Sequence, residues 1–311
     1  MDILTKVLQF VVFPGFLFTA ALGLLFSWID RKVTARVQYR IGPPWYQPFM
    51  DILKLLGKET MIPLGASKRV FLTAPLIGLA GVTIVSTLLC LADFDPNLGF
   101  VGDLIVVFYM LTLPALAIIL GGFSSANPLA SLGSSREMKL VLSYELPFIL
   151  ALLVPIIKSG GLLTIGGILN YQISHGAIFA SASGFIALVV AMLCVQAKLG
   201  LVPFDISEAE TEIVGGSFIE YSGPPLAVFK LTKAMLLFTL PLFVVVVFMG
   251  GIVLQAKEIV WGILKLIALL VVIVLIRNTN PRLRIDQALR FFWGPVTILA
   301  ILGVVLALFG H

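Results

Sequence analysis
The chain reads as an all-α, polytopic membrane protein: eight transmembrane helices, both termini outside, and an amphipathic helix at the interface after the first span. Three observations predict this. Of 311 residues, 59% are hydrophobic and 12% charged, with a mean hydropathy of +1.10, a composition that excludes an ordinary soluble domain. Apolar runs near the roughly 20 residues needed to cross about 30 Å of hydrocarbon recur along the chain. Runs of that length suit helices and not barrel strands, because lipid forces every backbone polar group to be satisfied within the segment. Between two of these runs lies PFDISEAETEIVGGSFIEY (residues 203–221), with five carboxylates and no basic residue. Acid beside hydrocarbon is costly and marks a proton or ion path or a partner's docking point.

In chain order the expected spans are about 7–29, 70–92, 99–122, 138–157, 178–200, 225–250, 259–276 and 291–310, within one integral membrane domain covering 1–311. The connection after span one mixes charge with aromatic and aliphatic residues. From Pro48 the apolar Phe49, Ile52, Leu53 and Leu56 recur at helical spacing, with Asp51, Lys54 and Lys58 elsewhere on the turn. Residues 48–59 therefore read as the amphipathic interfacial helix, either a lipid anchor or a docking element. Basic residues concentrate in this connection and in the one between spans seven and eight; Arg136, Lys139 and Lys198 flank the others on the same side. The opposite side carries only Lys6, Lys158 and Lys257. The positive-inside rule then places the large connections in the cytoplasm, and the net charge of +5 needs no nucleic-acid partner.

Cys90 and Cys194 both fall inside spans, there is no C-x-x-C, and the histidines are His175 and His311. The chain has no evident ligand set for zinc, haem or an iron–sulfur cluster, and no glycine-rich nucleotide loop. The cysteines read as buried structural thiols. Without a convincing internal repeat or paired broken spans, an inverted-repeat transporter is disfavoured.

If residues 203–221 are helical, Asp205, Glu208 and Glu212 share one face while Glu210 points elsewhere. Crowded like charges and partial desolvation raise one another's proton affinity, so such groups can hold and pass protons. Interleaved Phe204, Ile206, Ile213, Val214, Phe218 and Ile219 argue against full solvation. Glu145, after Tyr144 in span four, is too short to snorkel and needs a partner, for which Arg136 is the nearby candidate. Lys230 and Lys265 read as interface anchors, whereas Lys233 is deeper and is expected to pair with the acids of 205–220.

These residues carry a resemblance. PFDISEAETEIVGGSFIEYSG is similar to the signature of the membrane subunit that anchors the hydrophilic arm in respiratory complex I and in membrane-bound NiFe hydrogenases. DRKVTARVQYRIGP (30–43), followed by LLGKE, resembles the first-loop motif of that family; SREMKLVLSYE (135–145) resembles its span-four motif, and RLRIDQALRFFW (282–293) its last-loop motif. The resemblance implies a subunit with no redox centre or catalytic residue of its own. It would dock peripheral hydrogenase-like large and small subunits and an iron–sulfur subunit, which hold the iron–sulfur clusters and the NiFe centre. An ion path would continue into antiporter-like membrane subunits. Carried over, the path residues are Glu145, Asp205, Glu208, Glu210, Glu212 and Glu220, with Lys233 among them; Asp30, Arg31, Arg36, Arg136, Tyr144, Arg284 and Asp286 order the loops and the interface.

The departures point to a branch. Asp30 stands where quinone-reducing relatives usually have Glu, and Gln47-Pro48 follows Gly42-Pro43 after only Pro44, Trp45 and Tyr46. Lys233 replaces a Glu, and Gly294 a Lys common after the last-loop Trp. This pattern is more similar to the hydrogenase branch, which is linked to ferredoxin and uses no quinone. A quinone- or sulfur-reducing complex of the complex I type is the alternative, and a free-standing ion or solute carrier a third.

Overall fold
The computed structural model describes residues 3–252 and 256–310; the side chain of Lys257 and all of His311 lie outside the described residues. The described residues form fourteen α-helices, joined by loops and a few short 3₁₀ turns. The expected first span divides at Pro14-Gly15 into α1 (Ile3–Val11) and α2 (Phe16–Val37). Proline cannot donate to the helical ladder, and a Cβ on Gly15 would lie 1.9 Å from the Phe10 carbonyl oxygen, so the chain turns tightly where only glycine fits. The interfacial helix, expected over 48–59, is α3 (Gln47–Leu56), with Pro48 in its first turn. Then come α4 (Lys68–Phe94), α5 (Asp103–Met110) and α6 (Leu113–Ser124); the last two share the expected third span and part just before Pro114.

The expected fourth span is a longer helix, α7 (Pro128–Lys158). Asn127 caps it by accepting the Leu129 N–H at 2.9 Å, and Pro128 supplies the pre-set first turn. Its 31 residues rise about 46 Å. That exceeds the hydrocarbon thickness, so the leading ten residues carry Arg136 and Glu137 at the polar end of the bundle. A short helix the sequence did not announce, α8 (Ile165–His175), precedes α9 (Ala182–Lys198).

The acidic stretch is not one helix. A 3₁₀ turn (Ile206–Glu208), the single turn α10 (Glu210–Ile213) and another 3₁₀ turn (Gly216–Phe218) alternate. The shared face expected for Asp205, Glu208 and Glu212 does not form, because the chain reverses at Val214 and Gly215, both in the left-handed region. The chain continues through α11 (Gly223–Phe248), α12 (Ala256–Thr279), α13 (Ile285–Phe291), a π-helical stretch around Pro295 and α14 (Thr297–Leu308).

Among the described residues, seven helical stretches are long and apolar enough to cross a membrane; the remaining expected span, 178–200, is the 17-residue α9. At the centre stands α11, buried on nearly every side from Ala234 to Phe248 and packed on α2, α4, α9 and α12. Gly23 of α2 makes that contact close: a Cβ there would lie 2.6 Å from the Ala234 carbonyl oxygen. The other main core seam joins α7 to α9 and α14. Cys90 and Cys194 are free and buried in this core.

Candidate functional site
At the end of the bundle where α2, α3, α7, α11 and α12 terminate or begin, residues 203–221 lie across the helices as a strap. Gly133 of α7 lets it approach: a Cβ there would stand 2.7 Å from the Ser217 nitrogen and 2.8 Å from the Ser207 carbonyl oxygen. The strap is pinned to the bundle at its start by the Leu283 N–H, which donates to Pro203 O at 3.0 Å. At its far end Tyr221 stacks on Phe71 of α4 (centroids 4.1 Å apart, planes 3° apart) and donates its hydroxyl to the Phe71 carbonyl at 3.1 Å.

Each carboxylate of the strap takes a different partner. Asp205 accepts two hydrogen bonds from Arg282, one of them Nε to Oδ1 at 2.8 Å, and the same guanidinium reaches Thr211 Oγ1 at 3.2 Å. Glu208 pairs with Lys233 of α11, whose ammonium also lies 5.0 Å from the centre of the Phe218 ring. Arg136 of α7 donates to Glu212 at 2.5 Å. The Asn127 amide, beside the α7 cap, donates to Glu220 at 2.5 Å. Glu210 is exposed and has no ion-pair partner among the described residues. The expected pairing of Lys233 with the acids is present. The expected pairing of Arg136 with Glu145 is not: the two lie nine residues apart on α7, and Glu212 of the strap lies against Arg136 instead.

Two further pairs tie α2 to its neighbours at the same end. Asp30 accepts from Arg277 of α12 at 2.7 Å, and Arg31 donates to Asp51 of α3 at 2.7 Å. Burial pushes the Asp51 carboxyl up, but hydrogen bonds from Arg31 and Gln47 and the charges of Arg31 and Lys54 outweigh it and hold it below the ordinary aspartate range. Trp28 Nε1 donates to Pro43 O at 3.1 Å and closes the loop over which α3 is hung. Arg36, Arg284 and Asp286 are exposed and form no ion pair among the described residues; the Arg284 backbone N–H donates to Gln287 Oε1 at 3.1 Å at the start of α13.

The ion pairs of Asp30, Asp51, Asp205 and Glu208 line a cavity of about 550 Å³ between α2, α3, α11 and the start of the strap, whereas the Arg136–Glu212 pair lies outside it. Asp30, Arg31, Asp51, Asp205, Glu208 and Glu210 face it from the sequence-predicted set or beside it, together with Lys233, Arg277 and Arg282. A second cavity of about 310 Å³ shares Glu208, Glu210, Lys230 and Lys233. The Glu208–Lys233 pair therefore stands between two polar spaces.

Sequence reasoning missed Glu137. It is buried (4% exposed), in hydrogen-bonding contact with Ser207 of the strap, and within electrostatic reach of Glu208 and Lys233. The available signal was Asn127-Pro128, a helix start that places residue 137 inside α7 and not in a loop. Deeper along α7, Tyr144 is fully buried and Glu145 half-buried. Lys198, taken as a charge flanking a span, has its ammonium buried instead. At the opposite end of the bundle, Asp93 and Asp103 serve structure: they accept backbone N–H groups of Ile252 at 2.8 Å and Ile165 at 2.7 Å. Lys265 reaches the Met249 carbonyl at 2.7 Å near that end, as an anchor would.

Residues 8–308 match the NADH dehydrogenase family. The chain is 34% identical over 294 residues to NADH-quinone oxidoreductase subunit 8 of Thermus thermophilus, covering 88% of this chain and 78% of that one. It is 33% identical over 316 residues to a subunit of the NADH-quinone oxidoreductase of Thermomicrobium roseum, covering 93% and 92%. Its fold superposes with a TM-score of 0.86, at 28% identity, on a chain from the membrane-bound sulfane sulfur reductase (MBS), an archaeal respiratory membrane complex; 97% of this chain and 99% of that one are covered. With its apolar helices and its charged strap in the same order as the motifs that suggested the family, the chain belongs to the NADH dehydrogenase family, as an integral membrane subunit of the complex I-like type.

Proposed function
We propose that this subunit anchors a peripheral redox arm in the cytoplasmic membrane of a prokaryote and couples that arm's reaction to ion movement. The observation that carries the reading is the charged strap whose first half lines the 550 Å³ cavity, with Glu137 buried against Ser207 of the same strap. A carboxylate held by one cation at the edge of a polar space can take up a proton, weaken its pair and hand the proton on; a row of such pairs makes a path. Asp205, Glu208, Glu210, Glu212 and Glu220 are the cytoplasmic entry, Lys233 is the switching cation, and Glu137 and Glu145 lead inward. Arg31, Arg36, Arg284 and Asp286 face the docked arm, and both chain termini lie on the outer side.

In the reading favoured by the short 43–48 loop and by Lys233, the arm is a ferredoxin-dependent NiFe hydrogenase. Its large, small and iron–sulfur subunits carry the NiFe centre and the clusters, and antiporter-like subunits continue the ion path. The second reading, an arm of the complex I type reducing a quinone or a sulfur compound, is favoured by the quinone oxidoreductase relatives and the sulfane sulfur reductase likeness. A native pull-down of the tagged chain in mild detergent separates the two. Nickel, iron and hydrogen evolution from reduced ferredoxin support the hydrogenase; iron–sulfur without nickel supports the alternative. A lone, metal-free chain with transport activity would leave the free-standing carrier. Within an active complex, Glu212→Gln is expected to cut ion translocation per redox turnover by on the order of a hundredfold, the scale of a lost proton-transfer group. Normal translocation in that variant refutes the path.

A further inference from the structure
The polar end of the bundle carries one helix that crosses its neighbours instead of running with them. Asp51, midway along α3, takes Arg31 of α2, and just past the helix the Lys58 and Glu59 carbonyls lie against Gly223, the first residue of α11. A Cβ on Gly223 would stand 2.5 Å from the Glu59 oxygen, so α3 is drawn tightly across the gap between α2 and α11. Its depth is set by α2. The apolar run of that helix ends at Ile29, and Asp30 and Arg31 are its first charges. The Arg31–Asp51 pair therefore holds α3 at the level where hydrocarbon gives way to headgroups.

At that level the two faces of α3 differ. Pro48, Asp51 and Ile52 turn inward and line the cavity beside the strap. Tyr46, Met50, Leu53 and Leu56 are exposed, Leu53 most of all at 60%, and Trp45 is exposed at the helix head. Lys54 lies one turn after Met50, and the turn runs on through Lys58, whose N–H reaches the Leu55 carbonyl at 3.2 Å. Both lysines are exposed and form no ion pair among the described residues. The acids of the segment are Asp51, which Arg31 holds, and Glu59, beyond the end of the helix.

Aliphatic surface bared at headgroup depth is favourable against acyl chains and unfavourable against water. Two unpaired lysines one turn apart, on four-carbon stems that follow that surface, converge on an anion at its edge. A docked protein face would have to bring carboxylates down to the edge of the hydrocarbon, where they are costly. A lipid phosphate is already at that depth, with its chains below it, and attracts basic side chains there.

We propose that the outer edge of α3 is a binding site for an anionic phospholipid. Its phosphate lies between Lys54 and Lys58, and an acyl chain covers Met50, Leu53 and Leu56. The site goes beyond the ion-coupling reading and does not rest on it, since it needs only the placement of α3. Because Pro48, Asp51 and Ile52 wall the 550 Å³ cavity from the same helix, a lipid seated outside steadies that wall.

The test uses the assembled complex in nanodiscs that carry a photoactivatable phosphatidylglycerol or its phosphatidylcholine analogue, with adducts mapped by peptide mass spectrometry. Phosphatidylglycerol is expected to label residues 50–58 on the order of tenfold more than phosphatidylcholine, at about a fivefold preference for each lysine beside an anionic headgroup. Lys54→Gln together with Lys58→Gln is expected to bring the phosphatidylglycerol labelling down to the phosphatidylcholine level, and the paired Arg substitutions to keep it high. Unchanged labelling in the Gln variant overturns the proposal. So does equal labelling by the two lipids, which would make α3 an apolar anchor without a headgroup site. Absence of labelling by either lipid means that a protein partner covers the face, and labelling abolished by excess inorganic phosphate means a site for a free anion; each overturns the proposal. Where the Gln variant does not assemble, the comparison of the two lipids on the unaltered complex decides.

Discussion

Arg282 shows how much of the site depends on single residues far apart in sequence. Its guanidinium holds Asp205, whose side chain is only 15% exposed, and there is no second cation in the pair. Arg282→Ala is expected to cost about 1–3 kcal/mol in the detergent-solubilised subunit, less than a fully buried pair because Arg282 remains partly in water. Asp205→Asn in the same background should recover most of it, read as thermal midpoints in a double-mutant cycle. The sequence announced every acid of the strap, because acid between apolar runs is legible in composition alone. It did not announce their partners. Arg136 and Glu145 are neighbours in sequence, but α7 places them two and a half turns apart, and Glu212 arrives from a loop 76 residues later. Glu137 was hidden for a different reason: a polar opening turn made α7 look ten residues shorter than it is.

At the scale of the elements, the amphipathic period of α3 and the apolar lengths of the spans were readable, whereas the strap's irregular path was not. Turn reversals at Val214 and Gly215 and the close seat on Gly133 are tertiary facts. Gly133→Ala is expected to lower stability by about 1–3 kcal/mol, since the strap cannot retreat without breaking its pairs. The thermal shift should be matched by loosening of the Tyr221–Phe71 stack. The hold on α3 has a pH signature. Because the folded Asp51 carboxyl titrates below its unfolded value, the Arg31–Asp51 contact stabilises α3 above the ordinary carboxylate range and is lost as pH falls through the folded value. Fluorescence of Trp45, whose ring lies beside Tyr46 and Phe49 at the head of α3, should therefore stay constant from neutral pH downward and change only below the ordinary aspartate range. Arg31→Ala should bring that change to higher pH.

For the molecule as a whole, α11 is the axis on which the polar end is mounted. Leu240, fully buried on it, is expected to cost about 2–5 kcal/mol when changed to Ala, and the loss should spread to every helix packed there. A smaller loss measured by thermal unfolding would mean that neighbouring helices collapse into the gap. Hydropathy predicted the bundle but not that one helix would be its centre, since a helix apolar all round looks the same in sequence whether lipid or protein surrounds it. The strap's lacing has a mechanical consequence for that arrangement. Glu208 grips α11, Glu212 grips α7, and Asp205 grips the turn after α12. Titrating one carboxylate slackens one helix and leaves the others tethered, so the order in which protons arrive becomes an order in which helices are let go.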